Sequence, residues 1–522
     1  MKLARALVLL GLTITGPQLA GGQAPPVRRL TLEQALGLAG PASEALQLAR
    51  SALDRASGEV RRTRSDMLPQ IAGSASYNRL LKSQFEGFAS GGDDSSQPEP
   101  ASESCRGFTP IPADPIAQRL DSLEQSVRCL SRANPFSDLG SLPFGRANTW
   151  SLGLSASQTL FAGGRLRAGM DAANAGRRIA AIGLTSAEAQ LTLDVVTAFY
   201  DAALSNRMVA IAQMALDQAD STLAQTRLRR DVGTAPEFDL LRAGVARDNL
   251  RPLLIQATSQ RDLAHLRLRQ LLELPPADSL VVVADLGPDG YAHGPTIAAM
   301  LARTPDTAAT HRAAVRQADE SVAAQEALLA VARGESLPAV SVSSQYGKVA
   351  YPSAALPGWN EFLTNWNLTV GLQIPIFTGG RLSASREIAR TNLRDAALRR
   401  EQAEKGAALD ARAATSQLDA ASSTWQVSAG TVDQANRAYQ IAEVRYREGI
   451  STQTELLDAR LALQQAEANQ ATAARDLAIA RVRLALLADL PLGGATSATT
   501  TTSMSTSRPA VLPAPTTGLG VP

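Results

Sequence analysis

The sequence predicts a mainly α-helical protein that also carries a membrane β-barrel segment, with one structural plan written twice. Three observations predict it. Segments recur at a fixed offset of 216 residues, two proline-free helical runs each extend over about 67 residues, and four short stretches alternate apolar and polar side chains. Aromatic residues make up only 4% of the 522-residue chain. Such a composition suits long helices better than a thick aromatic core.

The repeat is direct. Trp150-Ser151-Leu152-Gly153-Leu154 through Leu160-Phe161-Ala162-Gly163-Gly164-Arg165-Leu166 returns as Trp366-Asn367-Leu368-Thr369-Val370 through Ile376-Phe377-Thr378-Gly379-Gly380-Arg381-Leu382. The same offset carries Gly233 onto Gly449, Leu240-Leu241 onto Leu456-Leu457 and Pro275 onto Pro491. Upstream, Leu68-Pro69 to Tyr77 matches Leu337-Pro338 to Tyr346 at offset 269, so the first copy carries a 53-residue insertion. Repeats of this kind set the architecture before any local reading.

In chain order, the first element is a secretory leader, 1–22 with the cut between 20 and 24. Lys2 and Arg5 precede an apolar run from Leu7 to Leu12, and small residues follow. That run is too short to span a bilayer, and no later stretch reaches about 18 consecutive apolar residues. The first repeat covers 23–275, with strands at about 69–80 and 149–161, an exposed loop at 81–148, a long helix at 165–231 and a return helix at 235–273. The second covers 276–491, with strands at about 338–348 and 366–377, a long helix at 381–447 and a return helix at 452–488. The Thr/Ser/Pro-rich tail, 492–522, is expected to be disordered. Cys105 and Cys129 both fall in the polar insertion, and an oxidising compartment permits a bridge between them. Two free thiols are the alternative.

Charge excludes one large class of partner. Lys2 and Arg5 leave with the leader, so 49 basic residues face 49 acidic ones, with no excess to hold a nucleic acid.

The strands alternate with period two. Trp150, Leu152, Leu154 and Ala156 oppose Ser151, Gly153, Ser155 and Ser157, and Trp366, Leu368, Val370 and Leu372 oppose Asn367, Thr369, Gly371 and Gln373. Val340, Val342 and Tyr346 repeat the pattern, and Ile71, Ala75 and Tyr77 carry it more weakly. Strands of this length and polarity fit a transmembrane barrel. A soluble hairpin on a helix alternates too. Tyr77, Trp150, Tyr346 and Trp366 at the loop-side ends favour the membrane, where amphipathic rings settle at the interface. Four strands cannot close, and each unpaired backbone group in lipid costs several kcal/mol. Two chains would give eight strands, a barrel filled by its own side chains, whereas three give twelve and leave a lumen. A homotrimer is therefore the smallest conduit.

Each long helix would reach roughly 100 Å at 1.5 Å per residue, far beyond the globular average. The return helices carry apolar heptads at 456, 459, 463, 466 and onward, interrupted at Gln470, and at 240, 243, 250, 254 and onward, broken by Arg247 and Arg261. Such seams pack helix on helix. Gly163-Gly164 and Gly379-Gly380 sit where period two gives way to period 3.6, and glycine permits a swivel there. At the far ends Val232-Gly233-Thr234 and Gly449-Ile450-Ser451 read as tight turns with Gly at C′. Thr234-x-x-Glu237 and Thr452-x-x-Glu455 have capping-box spacing.

This duplicated strand, Gly-Gly, long-helix plan resembles the TolC-like outer-membrane efflux family over nearly all of residues 30–491. The two turns resemble that family's periplasmic tips, with Asp239-Leu240-Leu241 and Glu455-Leu456-Leu457-Asp458-Ala459-Arg460 following them. The resemblance implies a trimeric β-barrel continuous with a helical tunnel, in the outer membrane and reaching into the periplasm. It also implies tips that dock a periplasmic adaptor protein, and an inner-membrane pump as energy source. The family's acidic constriction falls on Glu455 and Asp458, and its inter-helix gate pairing on Asp239 and Tyr446. Ser451 stands where the family has a gate arginine. A ring of Glu455 and Asp458 would favour cations.

No constellation for catalysis, cofactor or metal emerges. His265, His293 and His311 are scattered, and Gly-Gly-Arg-Leu lacks the spacing of a phosphate loop or nucleophile elbow. The expected function is an outlet channel for a tripartite efflux pump. An outlet for type I protein secretion is the alternative, and a periplasmic coiled-coil adaptor is the rival of another class.

Overall fold

A computed structural model of the chain describes residues 28–82, 108–109, 111–132, 147–275, 280–284, 286, 295–352 and 354–492. The leader, the tail and Cys105 lie outside the described residues.

The elements run β1 (Arg28–Leu30), α1 (Leu32–Ala42), α2 (Glu44–Ser65), β2 (Gln70–Arg79), α3 (Ile116–Arg132), β3 (Asn148–Ala162), α4 (Arg165–Asp231) and α5 (Glu237–Leu271). Then follow β4 (Leu280–Val282), α6 (Pro295–Leu301), α7 (Ala313–Gly334), β5 (Ala339–Ala350), β6 (Leu363–Gln373), α8 (Arg381–Arg447) and α9 (Gln453–Ala485). The chain divides into two compact units. One takes Ser57–Asn174 and Ala323–Leu393, and the other takes the remaining residues.

The first unit is built on a four-stranded antiparallel sheet in the order β2-β3-β5-β6. Its register puts Tyr77 opposite Trp150, Leu154 opposite Tyr346, and Tyr346 opposite Trp366. Side chains on directly paired positions share a face. One face therefore carries Ile71, Leu154, Val340, Val342, Leu368 and Leu372, and the other Ser74, Ser151, Ser155, Ser341, Thr369 and Asn367. Ser76 and Ser151 hydroxyls meet on the polar face at 2.6 Å. The Trp and Tyr rings pair on the apolar face, with centroids 4.8 Å apart for Tyr77 and Trp150 and 6.5 Å for Tyr346 and Trp366. Their polar atoms are satisfied: Trp150 Nε1 donates to Ala355 O at 2.8 Å and Tyr77 Oη to Asn148 Oδ1 at 2.9 Å. A bulge between Thr159 and Phe161 ends the regular register.

The expected loop at 81–148 is corrected by α3. Ile116, Leu120, Leu123 and Val127 recur at steps of four, three and four, which is a helical stripe. The polar residues around that stripe hid it in the sequence.

In the other unit, the heptads of α5 and α9 turn inward. Leu456, Ala466, Ala473, Leu477 and Leu484 are buried, as are Ala243 and Leu268. Arg247, the break in the α5 seam, donates to Asp220 of α4 at 2.8 Å, so the charge is matched across the seam. One 18-residue window of α4 is apolar enough to cross a bilayer by length and composition, yet only 17% of it is buried. The sequence reading missed it because no run there is continuously apolar. A second core gathers Leu30, Val196, Phe199, Leu268, Ile297 and Val482 around the parallel pair β1–β4 and α6.

His265 of α5 is buried within this packing, 3.1 Å from Asn206 Oδ1. Burial first, then the Arg269 and Arg261 charges, hold its pKa below the ordinary histidine value, with Asp262 opposing. The unfolded chain thus binds a proton at higher pH than the folded one. Stability from His265 is complete above the unfolded value of about 6.5 and is lost as pH falls through the folded value. His265→Gln, which keeps a partner for Asn206, should flatten the fall of the melting temperature below about pH 6.5.

Candidate functional site

Two structural joints and one pair of tips stand where the sequence places function. At the joints, Gly163 and Gly164 have φ of 61° and 79°, and Gly379 and Gly380 have 59° and 85°. All four are left-handed, a conformation that other L-residues adopt at a cost of about 1–3 kcal/mol. The first joint is also tight. A Cβ on Gly163 would lie 2.5 Å from Gly334 O and 2.7 Å from Leu337 Cβ, whereas nothing lies within 4 Å at Gly379. Gly163→Ala should therefore lower the melting temperature more than Gly379→Ala, and equal shifts would show that φ alone sets the cost.

The tips close by the same device. Gly233 N–H bonds Arg230 O at 3.0 Å and Thr234 N–H bonds Arg229 O at 2.8 Å; Gly449 N–H bonds Tyr446 O at 3.1 Å and Ile450 N–H bonds Arg445 O at 2.9 Å. These are the paired bonds of a Schellman ending, with Gly233 and Gly449 at φ of 75° and 74°. Val232, Gly233, Thr234, Gly449 and Ile450 are exposed, and Ser451 is half-buried.

One capping expectation is corrected. Thr234 does not cap α5, because its hydroxyl donates back to Arg229 O at 3.0 Å, and Pro236 holds the N-cap with no side-chain bond. Thr452 does cap α9, accepting from Glu455 N–H at 3.3 Å.

Within the chain Tyr446 pairs with α4 and not with Asp239. Tyr446 is buried and its phenol lies 3.1 Å from Thr226 Oγ1 on α4. Thr226 spends its own proton on Thr222 O, so Tyr446 is the donor. Asp239 stands half-buried in the first turn of α5 and is not the residue that Tyr446 meets. The reason is that Tyr446 turns its ring toward α4, where Arg229 lies over it at 5.0 Å. Arg229 Nη2 also donates to the carbonyls of Tyr446 at 3.1 Å and Arg447 at 2.5 Å. An arginine of the first tip thus clasps the helix end of the second, a cross-tip link that no local motif announces. Ser451 Oγ donates to Thr452 O at 3.3 Å, and its backbone N–H bonds Arg445 O at 3.2 Å.

Deeper along α9, Arg460 is buried and donates to Thr222 Oγ1 at 2.7 Å and Gln218 O at 3.3 Å. Burial lowers its pKa, and Tyr439 and Glu443 oppose that. Glu455 and Asp458 sit one helical turn apart, both exposed. Arg445 approaches Glu455 at 4.0 Å.

Long paired helices joined through left-handed glycines to a sheet with one apolar and one polar face define a channel protein of a membrane. The chain belongs to the outer membrane efflux protein family, which matches residues 131–273 and 304–488, and it is an efflux channel of the outer membrane. It is 29% identical over 332 residues to the pyoverdine export outer membrane protein OpmQ of Pseudomonas putida, covering 62% of this chain and 67% of that one. Nodulation protein T of Rhizobium leguminosarum bv. viciae is 25% identical over 340 residues, 65% of this chain and 68% of that protein. The crystal structure of the outer membrane protein VceC from Vibrio cholerae shares the fold, with a TM-score of 0.65 at 18% identity over 87% of this chain and 95% of that one.

Proposed function

We propose that three copies of this chain close one twelve-stranded barrel above a helical tunnel, and that the assembly is the outlet of a tripartite efflux pump. The observation that carries this is the four-stranded sheet, whose apolar face is exposed and whose edge strands β2 and β6 have no partner strand among the described residues. Such edges are intolerable in lipid unless neighbouring chains pair with them. The uncovered apolar window of α4 adds helical surface that neighbouring protomers would bury. Tyr77, Trp150, Tyr346 and Trp366 would anchor the barrel at the outer interface. Gly163, Gly164, Gly379 and Gly380 would let each chain bend from sheet into tunnel.

Exposed Val232 and Ile450 at the turns, with Phe238 and Leu241 just beyond, offer apolar surface to a periplasmic adaptor. Three copies of Glu455 and Asp458 would line the closed end and favour cations. Asp239 and Tyr446 would flank that ring. The pyoverdine export named for the Pseudomonas relative favours a small-molecule cargo over a secreted polypeptide. Cys105 and Cys129 would be bridged in the exported chain, Cys129 being carried on α3.

Recordings of the purified protein in planar bilayers test the reading. A conducting pore with cation preference is expected, and Glu455→Ala with Asp458→Ala should reduce that preference. Absence of conductance sinks the channel assembly, and unchanged selectivity removes the two acids from the constriction.

A further inference from the structure

We infer that the apolar face of the sheet holds a phosphorylated glycolipid of the outer leaflet, with an acyl chain in a furrow beside Gly73 and a headgroup phosphate on Lys348. This rests on the barrel proposed above, which turns that face toward lipid.

Strands β2, β3, β5 and β6 contain two charged side chains, Arg79 and Lys348, and no carboxylate. The register puts both cations on one face. Lys348 lies opposite Leu152 and Thr364, and Leu152 lies opposite Ala75. Arg79 is four residues beyond Ala75, so the alternation returns it to the same side. That side is the apolar one, shared with Leu154, Val342 and Leu368. A cation on a lipid-facing surface is costly at the bilayer midplane and costs little near the interface. Lys348 stands two residues to the loop side of Tyr346, which pairs with Trp366 in the aromatic belt, and so reaches headgroup depth. It is half-buried, with an apolar stem to lie along the sheet and an ammonium to extend toward the interface. Neither cation has an ion-pair partner among the described residues.

Beside Lys348 the face is indented. A furrow of about 540 Å³ is lined by Gly73, Ala75, Leu152, Leu154 and Tyr346, with Lys348 as its charged wall. That volume lies within the range of small-ligand sites. The indentation comes from β2, which offers a hydrogen and a methyl where β3 offers two leucines. The backbone does not require glycine there. Gly73 is not left-handed, and a Cβ on it would meet nothing nearer than Gly153 O at 4.0 Å. An apolar channel with a cation on its rim matches an acyl chain joined to a phosphate, which lysine meets as a point charge. Free phosphate would gain nothing from the furrow.

Arg79 selects the kind of lipid. It lies two strands and four residues from Lys348, roughly 17 Å at about 4.8 Å per strand and 3.4 Å per residue. The single phosphate of a glycerophospholipid cannot meet both cations. A glycolipid with phosphates at the two ends of its sugar core spans further, and the outer leaflet of an outer membrane presents that class.

Native mass spectrometry tests this on the detergent-extracted protein, stripped of lipid and then given lipid A, dephosphorylated lipid A or phosphatidylglycerol. Lipid A is expected at up to one per chain, retained several-fold above the other two. Lys348→Gln and Ala75→Leu should each lower that retention several-fold, and Lys348→Arg should keep it. Unchanged retention in Lys348→Gln overturns the phosphate contact, and unchanged retention in Ala75→Leu overturns the furrow. Phosphatidylglycerol held as well as lipid A overturns the choice of glycolipid. The same spectrum gives the mass of the protein itself. Trimers that hold no lipid A overturn the site and leave the barrel standing, whereas chains that never assemble overturn both. Should Ala75→Leu fail to fold, Gly73→Val fills the same furrow.

Discussion

Replacement of Asp410 by alanine is expected to cost about 3–5 kcal/mol, the cost of leaving one partner of a buried ion pair without the other. Arg312 is fully buried, and its Nη2 donates to Asp410 Oδ2 at 2.6 Å. Arg483 Nη2 reaches Asp410 Oδ1 at 3.2 Å. Asp410 therefore answers two arginines, one of which has no route to water. Arg312 is already short of partners, with Nε and Nη1 unpaired among the described residues. Removing the carboxylate takes away its one short bond. The cluster ties the start of α7 to α8 and, through Arg312 Nη2 and Leu490 O at 3.5 Å, to the chain beyond α9. Thermal unfolding of the detergent-solubilised protein measures the loss. The double variant Arg312→Met/Asp410→Leu should recover most of it, because a packed apolar pair replaces a half-satisfied ionic one. Failure of the double variant to recover would mean that the pair positions the chain rather than merely balancing its charge.

Arg229→Ala should loosen the tips more than any other single change there. The side chain contributes two charge-assisted bonds to carbonyls at the end of α8, each about 1.5–3 kcal/mol net, and a cation–π contact of about 0.5–1 kcal/mol. Loss of these frees the last turn of α8 from α4, leaving the Tyr446–Thr226 bond as the side-chain bond across the same gap among the described residues. Hydrogen exchange should rise at residues 444–451 and not in the sheet unit. In planar bilayers the resting conductance should increase. Unchanged exchange at those residues would show that burial of Tyr446 and Leu456, and not the arginine, holds the tips together.

The long helices were legible because nothing interrupts 67 residues of helical pattern, and the strands because each alternates over ten or more positions. The Gly-Gly joints were legible as paired glycines at a change of period. The three-residue strands β1 and β4 were not, since three residues carry no period. α3 was missed although its spacing was present, because the insertion around it is polar. At the tips the turns were readable from Gly233 and Gly449, but their side-chain partners were not. Thr226 and Tyr446 are 220 residues apart, and Arg312 and Asp410 are 98 apart. Neither pair has a local signature. Thr234 shows the opposite failure: a correct capping spacing was overridden because the threonine was already committed to closing the preceding helix.

The central claim is that one chain supplies a third of a barrel. Native mass spectrometry of the detergent-extracted protein tests it most directly. A mass of three mature chains, stable until the detergent micelle is stripped and the protein unfolded, is the predicted result. A mass of one or two chains would contradict it, because neither leaves a lumen inside a closed sheet.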